Sequence, residues 1–212
     1  MSAERISRRT LLAAPLLLLS PRLVRGEEEP GAALARAAAA QIGRVTIYDP
    51  SYVSLGFPGG DVAPERGVCT DVLIRALRDA HGIDLQRVVN RDMKADFAAY
   101  PANWGLKRPD ANIDHRRVPN LRRLFERQSA ALPLREDAAA FLPGDVITCT
   151  IPGNLAHLMV VGEEQSRDGK RPLIVHNIGA GTRAEDRLFE FAFTGHFRLS
   201  PPVLEKLRRL DA

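Results

Sequence analysis

Two cysteines and five histidines are the side chains of this 212-residue chain best suited to nucleophilic chemistry. A cysteine nucleophile needs a base within hydrogen-bond reach and a third group to orient that base. Cys69 stands in "RGVCTDVLIRALRDAHG", at the first turn of an amphipathic helix, where unpaired backbone N–H groups and the helix dipole favour a thiolate. His157 opens the stretch "HLMVV" and His176 closes "LIVH", so adjacent antiparallel strands could bring the two imidazoles together. Cys69, His157 and His176 are therefore the candidate catalytic residues. Other readings stay open: Cys69 as a small buried hydrophobe, His157 as a strand-edge histidine, and Asn177 in place of His176 as the third residue. No pair among the histidines and cysteines has close metal-site spacing, so no metal and no cofactor is expected.

A second concentration of polar side chains is "DANIDHRRVPN". It has neither helical nor strand periodicity and carries Asp114, His115, Arg116 and Arg117, which are expected to form a cleft wall that recognises substrate carboxylates through the planar arginine fork. The competing reading is that Asp114 pairs with Arg116 or Arg117 to fasten the loop. Cys149 lies in "PGDVITCTI", which alternates like a strand and reads as core, so a Cys69–Cys149 disulfide is disfavoured. His81 falls near the last turn of the Cys69 helix, where a cation suits the dipole, and His196 lies in a phenylalanine-rich strand as a structural residue.

The elements that must position these groups follow from periodicity. Val72, Leu73, Ala76, Leu77 and Ala80 recur at the spacing of one helix face behind Cys69. An alanine-rich helix ends at Gly43, and a loop dense in Pro, Gly and Asp leads to Cys69. Leu85, Val88, Val89, Met93 and Phe97 form a second helical stripe ended by Pro101, and Pro119 opens a short helix. After residue 140 the pattern changes to short strands rich in β-branched and aromatic residues, with an Asp-Gly turn in "SRDGKRP". Helices first and a meandering antiparallel sheet afterwards give an α+β fold in one domain.

The net charge of +4 is misleading. Residues 1–26 hold five arginines against Glu4, and the remainder carries equal numbers of acidic and basic side chains, so nucleic acid is not an expected partner. Those first residues read as an export signal. Arg8 and Arg9 precede an apolar run from Leu11 to Leu19, too short to span a bilayer, in the manner of a twin-arginine signal. The expected location is periplasmic or otherwise extracytoplasmic, with no stable membrane span unless the signal is retained. The oligomeric state is left open.

"YDPSY", "GVCTDV", "NIDHRRVPNL" and "VHNIGAG" resemble a bacterial family known as domain of unknown function 1287. "GVCTDVLIRAL", "LPGDVITCTIPGN", "AHLMVV" and "VHNIGAG" are similar to the NlpC-type cell-wall cysteine peptidases, a papain-like superfamily. The resemblance implies a papain-like domain over residues 45–200 with a helical insertion near 83–134, preceded by a linker and helix at 27–44 and followed by a helix at 201–212. It implies Cys69 as nucleophile, His157 as base and His176 as orienting residue, with the Cys69 backbone N–H in an oxyanion hole. The implied activity is cysteine hydrolysis of an amide bond in peptidoglycan or another peptide substrate. An acyltransferase using the same thiol, or a non-catalytic module binding cell-wall peptides or a partner protein, are the alternatives. Two departures stand out: Val68-Cys69-Thr70 replaces the frequent Asp-Cys-Ser, and the stretch from Ile83 to Leu134 has no counterpart in the smallest members.

Overall fold

The computed structural model describes residues 29–212. Among these residues the five α-helices are α1 (Pro30–Ala39), α2 (Cys69–His81), α3 (Leu85–Ala95), α4 (Val118–Arg127) and α5 (Pro201–Asp211). The eight strands among them are β1 (Ile47–Tyr48), β2 (Arg66–Gly67), β3 (Ala131–Leu132), β4 (Val146–Ile151), β5 (Leu155–Gln165), β6 (Pro172–Asn177), β7 (Thr182–Glu185) and β8 (Ala192–Phe197). The fold is α+β. Strands β3 to β8 form an antiparallel sheet in the order β3-β8-β4-β5-β6-β7, and β1 pairs with β2 in a parallel two-residue ladder. The sheet is thus not a simple meander, because β8 returns to pair with β4, between β4 and β3.

Helix α2 is set by its two ends. Asp71, its third residue, accepts the backbone N–H of Val68 at 2.6 Å and caps the start. Gly82 ends it in the left-handed conformation (φ 67°), with its N–H on the Arg78 carbonyl and the Ile83 N–H on that of Leu77. Between these ends Val72, Leu73, Ala76 and Leu77 are buried in one cluster with Leu158, Val160 and Val175 of the sheet. The nucleophile candidate therefore sits on a rigidly packed helix. A second cluster joins Ile147, Cys149, Met159, Val161 and Ile174 under Phe141 and Leu188, alternating along the strands with the residues of the first. Gly144 shows why the Pro-Gly-Asp turn before β4 needs glycine: its φ is 83°, and a Cβ there would run into the backbone of Gly31 at the start of α1.

His81 departs from expectation. Its Nε2 lies 3.1 Å from the Pro30 carbonyl oxygen, tying the end of α2 to the start of α1, and burial lowers its pKa, so it serves as a neutral link rather than a cation on the dipole. No helix among the described residues is long and apolar enough to cross a membrane. The expected signal at 1–26 lies outside the described residues.

Candidate active site

His157 and His176 are brought together by neighbouring antiparallel strands β5 and β6. His157 Nε2 is 2.8 Å from His176 Nδ1, and both rings are buried. Strand β7 adds a third member: His176 Nε2 is 2.7 Å from Glu185 Oε2. The direction of each proton follows from valence. The carboxylate oxygen accepts, so His176 Nε2–H donates to it, and the Nδ1 of a neutral His176 must then accept. His157 donates from Nε2, which leaves its Nδ1 unprotonated. Burial pushes the His157 pKa down to about 3, with His176 adding to the shift, and burial also lowers that of His176 against the opposing pull of Glu185. Both rings are neutral at pH 7, and the one free lone pair is on His157 Nδ1.

Cys69 packs against the same strand. The backbone N–H groups of Leu158, the residue after His157, of Thr70 and of Cys69 itself lie near the thiol and favour its charged form. The expectation of a thiolate at the helix start does not hold in this state. Burial outweighs those donors, Asp71 adds like charge, and the thiol is pushed up to about 12. No hydrogen bond joins Cys69 to His157 among the described residues. Cys149, paired across β4 and β5 with His157, is buried in the second cluster, and both cysteines are free. Asn177 goes elsewhere, its Nδ2 donating to the Gly67 carbonyl at 3.0 Å just before the Cys69 turn.

A cavity of about 220 Å³ lies over Cys69, lined among others by Tyr48, Trp104, Arg116, Arg117 and Ala156. The Tyr48 phenol feels Cys69 and Asp71, which together with burial raise its pKa, so it is a protonated donor beside the thiol. A larger concavity of about 740 Å³ between Leu134–Glu136 and Glu190–Phe193 shares no residue with this one. Chemistry, not size, identifies the smaller cleft. Among the described residues no group of three or more His, Cys, Asp or Glu side chains is placed to hold a metal ion.

Residues 35–199 match the family model described as Domain of unknown function (DUF1287). The chain belongs to this family. It is 48% identical over 178 residues to "Uncharacterized protein YijF" of Escherichia coli (strain K12), covering 84% of this chain and 86% of that protein. Among solved structures it is similar to NlpC1 from Trichomonas vaginalis, at 15% identity and a TM-score of 0.41 over 80% of this chain, and spans 44% of that chain.

In this DUF1287 protein the stretch expected to form the recognition wall is largely committed to the fold. Arg116 lines the cleft but commits its guanidinium to the fold. Its guanidinium makes a two-point contact with Asp71, Nε at 3.0 Å from Oδ1 and Nη2 at 2.9 Å from Oδ2, and also donates to the carbonyls of Asp49 and Ser51. The two side chains are 2% and 4% exposed. Asp114 accepts from the Asp110 N–H, from Arg117 and from Asn120. Asp114 and His115 are both buried, and burial pushes the His115 pKa down to about 4. The pairing that fastens the loop is thus Asp114 with Arg117, while Arg116 holds Asp71. Of the four, Arg116 and Arg117 both line the cleft, and Arg117 stacks 4.0 Å over the Trp104 ring.

Sequence reading missed Glu185, Tyr48 and Asp71. Glu185 lies in "TRAE", a four-residue strand with no β-branched or aromatic run to mark it. Asp71 carried a usable signal, being an acidic residue three positions after the residue preceding Cys69.

Proposed function

We propose that this protein is an exported cysteine hydrolase that cleaves an amide bond in peptidoglycan peptides or another peptide substrate. Cys69 is the nucleophile, His157 the base and His176 the residue that orients it, with Glu185 fixing the tautomer of both rings. The observation that carries this reading is the hydrogen-bonded series Glu185–His176–His157, which leaves a base nitrogen free on the strand that packs against the Cys69 helix.

Because thiol and imidazole are both neutral at rest, attack is coupled to proton transfer. The Cys69 sulfur bonds to the amide carbon as its proton passes to His157 Nδ1, and Glu185 offsets the positive charge spread over the two rings. The carbonyl oxygen, now negative, is met by the Cys69 backbone N–H at the helix start and by the Tyr48 hydroxyl. The carbon–nitrogen bond breaks, the amine leaves with the proton from His157, and a thioester remains. Water then gives a proton to His157 and its oxygen to the thioester carbon, releasing a carboxylic acid and the thiol. An acyltransferase would differ only in having an amine or hydroxyl in place of that water.

The raised thiol pKa and the 5% exposure of Cys69 favour a second reading, a module that binds cell-wall peptides without cleaving them. Incubating purified peptidoglycan or a mixed peptide pool with the protein separates the two. New amino and carboxyl termini that need Cys69 support the hydrolase, and saturable binding with no new termini supports the binder. Export is tested separately by replacing Arg8 and Arg9 with lysine, which is expected to leave the protein in the cytoplasm. Unimpaired export of that variant points to the general secretory route.

A further inference from the structure

A second cavity, of about 240 Å³, lies beside the cleft over Cys69. The two have Trp104 and Arg117 in common as lining residues, so the stacked pair is a partition between them. On the far side the walls are Met93, Phe97, Tyr100, Pro101 and Leu106. The charged groups there cancel, since Arg117 Nη1 is 2.8 Å from Asp114 Oδ1 and Asp114 is itself buried with its oxygens already accepting from Asp110 and Asn120. A charged ligand group entering this space would lose its hydration and find no unpaired counter-charge. An apolar group would displace water from apolar walls. The volume is that of about eight water molecules at roughly 30 Å³ each, far more than a methyl group fills.

We propose that this cavity is the specificity subsite of the enzyme, taking an uncharged apolar side chain of leucine-to-phenylalanine size on the residue next to the scissile amide. The inference rests on the amide-hydrolase reading and narrows it. It reverses the role expected for the 110–117 stretch, because the wall that Arg117 and Trp104 build selects against a carboxylate. Peptides with a bulky apolar residue, rather than stem peptides made of alanine methyls and carboxylates, become the preferred substrates.

Trp104 is the one tryptophan of the chain and lines both cavities, so its fluorescence reports binding in either, and the dependence on X and on Ala98 assigns the signal to this one. The probes are N-acetyl-Ala-X-Ala amides with X as Leu, Phe, Ala, Glu or Lys, titrated into the full chain carrying Cys69→Ser and, in parallel, assayed for cleavage by the unaltered protein. The expected result is a saturable change in Trp104 emission with at least tenfold tighter binding for Leu and Phe than for Ala, Glu or Lys. Ala98, which lines the cavity from an exposed position, supplies the second test: Ala98→Phe should fill the space and erase that preference without unfolding the protein. Absent binding, or equal binding of all five peptides, overturns the subsite. Apolar preference in binding without any cleavage leaves the subsite standing and removes the hydrolase. Cleavage with no preference at X does the reverse.

Discussion

Glu185 is the residue on which the proton arithmetic turns. If it becomes a glutamine, the side-chain amide can donate to His176 Nε2, the tautomers reverse along the series, and His157 Nδ1 is left carrying a proton it cannot exchange for the thiol's. Glu185→Gln is therefore expected to lower kcat by about 10²-fold or more, the scale of a lost general base, while the melting temperature stays close to that of the parent. Full activity in that variant would remove Glu185 from the mechanism. The thiol gives a second expectation at this scale. With its pKa pushed up to about 12, Cys69 should alkylate at a rate that climbs about tenfold per pH unit between pH 7 and 10, with no plateau. The difference between the parent and Cys69→Ser isolates its share from that of Cys149, and a plateau below pH 8 would show a standing thiolate–imidazolium pair instead. Cys69, His157 and His176 were legible because nucleophile and base types fell on a helix start and two strand ends. Glu185 was not, since a four-residue strand leaves no period to read, and its meeting with His176 depends on sheet pairing.

At the scale of elements, the start of α2 is held by a buried ion pair between residues 45 positions apart. Asp71 caps Val68 and at the same time takes both forks of Arg116, whose remaining donors hold the carbonyls of Asp49 and Ser51. Thr70 adds a hydroxyl bond to the Arg116 carbonyl at 3.0 Å. The loop before β2, the Cys69 turn and the turn before α4 are thereby locked together. Removing one partner of such a pair strands a buried charge, so Arg116→Met is expected to cost about 3–5 kcal/mol of unfolding free energy. Arg116→Lys should recover little of it, because a point charge cannot reproduce the two-point contact. Urea titration measures both. Unchanged stability in Arg116→Met would return Arg116 to a substrate-binding role. The helix itself was readable from its stripe and from Gly82, but not this clamp, because nothing in local periodicity tells Arg116 from Arg117 as the partner of a distant aspartate.

For the whole molecule, the stacking of helices on one antiparallel sheet buries histidines in neutral form. His157 is held near pH 3 and His115 near 4, against an ordinary value of 6.5. The unfolded chain therefore binds more protons than the folded one between about pH 6.5 and 3, and stability must fall as pH drops through that window. His115→Gln, which removes a group outside the proposed mechanism, should flatten the upper part of this decline in unfolding free energy measured from pH 7 to 4. An unaltered slope would mean that His115 already titrates normally. The α+β order was visible in the change from helical to strand periodicity near residue 140. The return of β8 to β4 was not, since strand order depends on contacts that hydrophobic pattern alone does not encode.

In the proposed mechanism Cys69, activated through His157, breaks an amide bond. Mass analysis of fragments released from purified peptidoglycan and from a defined peptide pool tests it most directly, using the parent protein, Cys69→Ser, His157→Ala and Cys149→Ser side by side. That mechanism predicts new amino and carboxyl termini with the parent and with Cys149→Ser, and none with Cys69→Ser or His157→Ala, all four proteins being folded. Fragments that persist with Cys69→Ser, or that vanish only with Cys149→Ser, would contradict it.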